Sequence, residues 1–255
     1  MRINTNVGAL TASRNIFVNN MAVDSSLRKL SSGERIARAG DDAAGLSIAN
    51  NLRTQGRALS QAAANAEQGA AMLNIAEGAA QTIARIVERQ KELIVQKANG
   101  TTSSSASTAI NNEISGLATE ATRIQNSATY QGTSVFASLA FQVNDSSSNN
   151  TITVNASLTQ TTLSGTSTLA NADTALTAVN NVLAAIGTGQ NTLDYAVQNV
   201  KAAVVNVRAA ESTIRDADMA EEMATFTKNS ILKQAAEAML AQANQSSQGV
   251  LSLLR

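Results

Sequence analysis

Seven positions, Leu52, Leu59, Ala66, Leu73, Ala80, Val87 and Ile94, fall seven residues apart in a stretch from Asp42 to about Lys97. A heptad series of this kind keeps one face of a helix apolar turn after turn and signals a coiled-coil seam. Proline is absent from all 255 residues, so the commonest interruption of a helix is missing. At about 1.5 Å per residue the helix would be roughly 80 Å long, too long for a compact domain of this mass. The pattern predicts a mainly α fold: an elongated antiparallel helical bundle, rod-like and held by coiled-coil packing.

The rest of the chain supplies the partners of that helix. Asn99-Gly100-Thr101-Thr102 reads as a stop and a turn. After it, Ile110, Ile114, Leu117, Ala121, Ile124 and Ala128 recur at steps of four and three, which predicts a second helix folded back on the first. Between about 130 and 168 the period changes to two, through Val135, Phe136, Leu139, Phe141, Val143 and the run Thr151-Ile-Thr-Val-Asn155, which predicts one small β-hairpin. The Ser/Thr/Asn-rich run to Thr168 reads as a polar surface excursion, a solvated loop whose hydroxyls are also open to glycosylation. From Leu169 the helical spacing returns through Leu176, Val179, Leu183 and Ile186. It resumes after Gly187 and Gly189 through Leu193, Val197, Val200, Val204, Val207 and Ile214, with Glu211 where an apolar residue is due. We expect one long helix with a soft point at the two glycines.

Composition excludes most chemistry. Histidine and cysteine are both absent, which removes imidazole- and thiolate-based catalysis, zinc sites built on them and any disulfide framework. Lys plus Arg and Asp plus Glu are 19 each, so no global charge steers the chain to nucleic acid or an anionic membrane. No stretch approaches the ~18 uninterrupted apolar residues of a membrane span. Residues 3–20, interspersed with Asn, Thr, Ser and Arg, do not read as a cleavable signal. No enzyme activity, cofactor or metal is expected.

The two ends resemble one another. Leu10, Arg14, Phe17, Met21, Leu27 and Leu30 give the first 35 residues an intermittent apolar stripe. Leu232, Ala235, Ala236, Met239, Leu240 and Ala243 give the last helix a better one, ending in Val250-Leu251-Ser252-Leu253-Leu254-Arg255. Chain ends are usually polar and frayed, so these stripes await a partner, either each other or another copy. A head-to-tail contact that does not close into a ring propagates as a helical filament.

Asp41-Asp42, after Gly40 and before the heptad seam, reads as helix N-capping, in preference to a carboxylate pair for metal or acid–base work. Arg28, Lys29, Arg35 and Arg38 lack the glycine cradle and interleaved aromatics of a phosphate or nucleic-acid site. With Glu34, Asp41 and Asp42 nearby, they read as salt-bridging groups in a connector.

Met1-Arg2-Ile3-Asn4-Thr5-Asn6 with Ala9-Leu10, Leu30-Ser-Ser-Gly33-Glu-Arg35-Ile36, Asp41-Asp-Ala-Ala-Gly45-Leu46 and the ending LAQANQSSQGVLSLLR over 240–255 resemble bacterial flagellin. Several separated motifs in the right order make that resemblance specific. It implies a structural subunit of the flagellar filament serving motility, of a short type lacking the outer variable domains. Residues 1–40 and 217–255 would pair as an inner coiled coil, and 41–216 would form the helical rod carrying the hairpin. The polymerisation surface would be the terminal stripes, Leu10, Phe17, Met21, Leu27, Leu30, Leu232, Met239, Leu240, Val250, Leu251, Leu253 and Leu254.

The resemblance further implies type III export without a cleaved signal to the extracellular filament. Its partners would be other copies of the chain, an export chaperone, the cap protein and the hook-filament junction protein. It also implies recognition by the flagellin-sensing Toll-like receptor of an animal host through Arg89, Leu93 and Glu113, which residue chemistry alone treats as ordinary exposed helix positions. The alternative within the same end architecture is a hook-filament junction protein, present at few copies.

Overall fold

The computed structural model describes residues 6–144, 151–158 and 163–253, with 247–253 described as backbone only. Among them the order is α1 (Val7–Ser32), α2 (Ala43–Lys97), α3 (Ser104–Ser127), β1 (Thr129–Tyr130), β2 (Thr133–Ser134), β3 (Ser138–Gln142), β4 (Thr151–Asn155), α4 (Leu169–Arg215) and α5 (Met219–Leu253). The mainly helical fold with a small antiparallel hairpin is as the periodicities imply. The chain divides into two compact units, residues 1–54 with 207–255 and residues 55–206, and α2 and α4 supply residues to both.

In the unit of residues 55–206 the heptad seam is the core. Leu59, Ala66, Leu73, Ala80, Val87 and Ile94 are all buried, together with Ile83, Ile114, Val179, Ile186 and Leu193. Alanines along α2 and α4 keep the packed layer thin and allow close helix approach. The two helices run antiparallel, as three polar pairings show. Glu67 meets Lys201 at 2.7 Å, Gln190 Nε2 donates to Asn74 Oδ1 at 2.9 Å, and Lys91 meets Asp173 at 2.7 Å. α3 opens on Ser103, whose hydroxyl accepts from Ala106 N at 3.2 Å, a regular N-cap. Gln90, fully buried on α2, reaches it by donating to the Ile114 carbonyl at 3.0 Å.

β3 and β4 pair antiparallel from Ser138 opposite Asn155 to Gln142 opposite Thr151. Two glycines receive this hairpin. A Cβ on Gly69 of α2 would lie 2.8 Å from the Phe141 ring, and one on Gly189 of α4 would lie 2.5 Å from Val154 Cγ2. α4 therefore runs unbroken through Gly187 and Gly189, and Gly189 marks a close approach of the hairpin. A second, minimal hairpin, β1 with β2, precedes it, turning through Gln131 and Gly132 at positive φ.

The segment after β4 departs from the sequence reading. Leu158, Leu163 and Gly165 are buried, Gln125 Nε2 donates to the Leu158 carbonyl at 2.9 Å, and Lys97 Nζ to the Gly165 carbonyl at 2.5 Å. Two leucines in an otherwise polar run are enough to anchor it. Exposed Ser164 and Thr166 alternate with buried Leu163 and Gly165, so the described part of the segment turns its apolar groups inward.

Candidate assembly surface on the terminal helices

The unit of residues 1–54 and 207–255 is organised around α1 and α5. Asn6 caps α1, its side chain accepting from Ala9 N at 3.0 Å and donating to the Ala243 carbonyl at 2.9 Å. At the other end Gly33 closes α1 at φ 72°, a left-handed C-cap that glycine adopts without strain. Lys29 meets Glu222 at 3.6 Å there. The helices are thus antiparallel, with Asn6 beside Ala243 and Lys29 beside Glu222.

Beyond α1 the backbone pairs with the end of α4. Arg35 N donates to the Arg215 carbonyl at 2.7 Å and Ala217 N to the Gly33 carbonyl at 2.9 Å. Arg215 holds Glu34 at 2.9 Å and reaches Glu211 at 3.7 Å, which explains the charged residue that interrupts the α4 series. Arg35 Nη2 donates to the Ile214 carbonyl at 2.7 Å. The basic cluster is therefore divided: Lys29 and Arg35 fasten the connector, and Arg28 and Arg38 are exposed.

The two aspartates also have separate tasks. Asp42 Oδ1 accepts from Gly45 N at 2.9 Å and caps α2. Asp41, read from sequence as a second capping residue, closes the loop before the helix, accepting from Ala37 N at 3.2 Å and Arg38 N at 3.0 Å.

Each terminal helix carries two distinct faces. On α1 the buried and half-buried positions run through Ala9, Ala12, Ile16, Asn19, Val23, Ser26 and Leu30; on α5 they run through Glu222, Phe226, Asn229, Lys233, Ala236, Leu240 and Ala243. Both are heptad spacings, and they form the seam by which the helices pack. Asn, Ser, Lys and Glu among them interrupt the apolar spacing, and of the sequence stripes only Leu30 on α1 and Ala236, Leu240 and Ala243 on α5 fall on this seam.

The oily stripe lies elsewhere. Leu10, Phe17, Met21 and Leu27 on α1, and Leu232 and Met239 on α5, are exposed, Phe17 at 65 %. Leu30 and Leu240 are half-buried at the seam. The side chains of Val250, Leu251 and Leu253, and the whole of Leu254, lie outside the described residues. Val7, Val18, Met219, Met223 and Ile231 extend the exposed set beyond the sequence reading. An open groove of about 640 Å³ runs along the pair, lined by Gly8, Ala12, Val18, Leu232, Ala236 and Met239 among others.

The three residues singled out on α2 and α3 are close neighbours in sequence register but not equivalent. Arg89 Nη2 meets Glu113 Oε1 at 3.2 Å and Arg89 Nη1 meets Glu92 Oε2 at 3.0 Å, all on the surface. The guanidinium pKa is raised above its ordinary value by the hydrogen bond to Glu92 first and that to Glu113 second. Leu93, expected to be exposed, is only 1 % exposed and belongs to the core, because the face of α2 that meets α3 and α4 is wider than the heptad seam alone.

Comparison with known proteins agrees with this architecture. Residues 3–141 match the family model for the bacterial flagellin N-terminal helical region, and residues 169–254 match that for the bacterial flagellin C-terminal helical region. A flagellar filament 33 kDa core protein of Treponema phagedenis is 38 % identical over 286 aligned positions, covering all of both chains. A flagellin of Halalkalibacterium halodurans is 39 % identical over 272 positions and a flagellin of Bacillus subtilis 37 % over 305, again covering all of both chains.

Proposed function

The chain belongs to the bacterial flagellin family and is a structural subunit of the flagellar filament, and from that premise we propose which of its surfaces carry assembly. The outward faces of α1 and α5 are the polymerisation surface: Leu10, Phe17, Met21 and Leu27 with Leu232 and Met239, supported by Leu30 and Leu240 and continued by Val250, Leu251, Leu253 and Leu254. The observation that carries this reading is the separation of the two faces. Half-buried Ile16, Val23, Leu30, Phe226 and Leu240, interleaved with Ala, Asn, Ser, Lys and Glu, hold α1 to α5, and a second set of large apolar side chains, Leu10, Phe17, Met21, Leu27, Leu232 and Met239, faces water. A contiguous exposed apolar patch marks an interaction site.

On this reading residues 1–40 and about 217–255 form the inner layer of the filament and residues 41–216 the layer around it. Each neighbour that covers a Leu or Phe side chain contributes about 1.5–3 kcal/mol per fully buried group, and repetition along an open helical polymer sums these contributions. The test is polymerisation of purified subunit followed by electron microscopy. Long tubes of uniform helical symmetry are expected, and short rods or monomers under all conditions would overturn the assignment.

The family membership also supports export through the flagellar type III channel, with a chaperone, a cap protein and the junction protein as successive partners. It supports engagement of the flagellin-sensing Toll-like receptor through the surface pair Arg89 and Glu113, with Leu93 holding the helix surface from beneath. Reporter cells exposed to monomer carrying Arg89→Ala or Glu113→Ala should respond less; an unchanged response removes the pair from the contact.

A further inference from the structure

The described methionines divide between the two units. Met21 on α1 and Met219, Met223 and Met239 on α5 are solvent-facing, with Met239 at 64 % and Met219, the least exposed of the four, at 46 %. Met72, in the unit of residues 55–206, is 7 % exposed and belongs to the closed core. The chain has no cysteine, histidine or tryptophan, so methionine sulfur is its principal target for two-electron oxidants.

We propose that Met21, Met219, Met223 and Met239 form an oxidation-sensitive set on the terminal helices, open to peroxide in the free subunit, and that their conversion to sulfoxides blocks assembly. The proposal rests on the assignment of the outward faces of α1 and α5 to polymerisation. In the reaction the thioether lone pair attacks one oxygen of hydrogen peroxide, and the S–O bond forms as the O–O bond breaks. The departing hydroxide takes the proton from the sulfur-bound hydroxyl, leaving sulfoxide and water. Sulfur loses the two electrons that the peroxide gains.

A thioether is apolar and adapts its shape to a packed contact, and the sulfoxide is polar and accepts hydrogen bonds. In the free subunit the new oxygen stays in water. In the filament it would be enclosed among apolar neighbours without a donor, so oxidation favours the unassembled state. Assembly in turn covers the sulfur atoms and shields them.

The experiment treats full-length subunit, and separately preformed filaments, with hydrogen peroxide and follows each methionine by peptide mapping. In the free subunit the four should oxidise about ten-fold faster than Met72, and in filaments they should be protected. The oxidised subunit should need about ten-fold more protein to polymerise, and treatment with methionine sulfoxide reductases for both epimers should restore assembly. A variant carrying M21L, M219L, M223L and M239L should polymerise equally well before and after peroxide.

The proposal is overturned if subunit oxidised at all four positions polymerises at unchanged concentration, if Met72 reacts as fast as the others, or if repair does not restore assembly. Reductase repair needs no substitution, so it decides the matter even if the leucine variant folds poorly. Failure of untreated subunit to polymerise is a different result, and it would overturn the assembly reading itself.

Discussion

In the unit of residues 55–206, Leu73, Ile83, Ile114 and Leu193 are wholly enclosed, whereas in the unit of residues 1–54 and 207–255, Leu10, Phe17, Met21 and Met239 face water. Both units are built from long helices with heptad seams. They differ in what the seam holds. α2 places Leu, Val, Ile and Ala at its seam and buries most of them, although Ile75 and Val95 off the seam are exposed. α1 and α5 interleave Ile16, Val23, Leu30, Phe226 and Leu240 with Ala, Asn, Ser, Lys and Glu there, and leave a further set of large apolar groups outside. Of the α1 and α5 seam positions only Ala12 and Ser26 are buried; a seam interrupted by polar groups fixes register but buries less apolar area, so the unit of residues 1–54 and 207–255 has more of its apolar surface left for neighbours.

The largest expected effect breaks the comparison at its outer end. Deleting residues 240–255 should abolish filaments at concentrations where the intact chain polymerises and leave the thermal transition of the unit of residues 55–206 unchanged, as read by electron microscopy and circular dichroism. Truncated chains that still polymerise would show that the terminal stripe is dispensable. Next come matched truncations of large side chains. Leu73→Ala or Ile83→Ala should cost about 3 kcal/mol in urea unfolding, and Phe17→Ala should change monomer stability by less than about 0.5 kcal/mol. Phe17→Ala should nonetheless raise the concentration needed for polymerisation about ten-fold, because its ring is buried only by assembly.

A smaller effect sharpens the account of the closed unit. Gly189→Ala places a methyl 2.5 Å from Val154 Cγ2 and should destabilise by about 1–3 kcal/mol through displacement of the hairpin. Gly187→Ala, where a Cβ meets nothing within 4 Å, should be neutral or slightly stabilising, since alanine is the better helix former. A reversed order would remove the hairpin seat from the explanation.

The smallest effect is electrostatic. The Glu120 carboxyl is held below its ordinary pKa by its hydrogen bond from Arg123, with their charge attraction contributing less. Its folded-state pKa is thus lower than its unfolded one. The linked stabilisation is present above the ordinary carboxylate range and is lost as pH falls through the folded value. The pair is fully exposed, so the midpoint of unfolding should barely move. The shift should instead be visible in an NMR titration of Glu120 and absent in Arg123→Gln.

Much of this was legible in the sequence, for identifiable reasons. The heptad from Leu52 to Ile94, buried from Leu59 onward and half-buried at Leu52, was readable because its apolar positions meet apolar partners. The hairpin was readable from the change to period two, and the exposed ends because no remaining apolar bulk was available to cover them. Three features were not legible. Leu93 is enclosed because α2 is covered on more than one face, which its own periodicity does not state. The segment at Leu158 and Leu163 is anchored by two residues with no repeat. The α1–α5 seam is only partly marked by hydropathy, because Asn19, Ser26, Glu222, Asn229 and Lys233 interrupt its apolar positions.

That the chain is helical, free of proline breaks and of imidazole or thiol chemistry, and oily at both ends follows from local spacing and residue type. Packing across the fold decided which face of each terminal helix turns inward and which glycine is a seat for another element. It also decided that Glu211 and Glu34 share Arg215. Those outcomes depend on which surfaces meet across long separations along the chain, and a one-dimensional period carries the phase of each helix but not the identity of its neighbour.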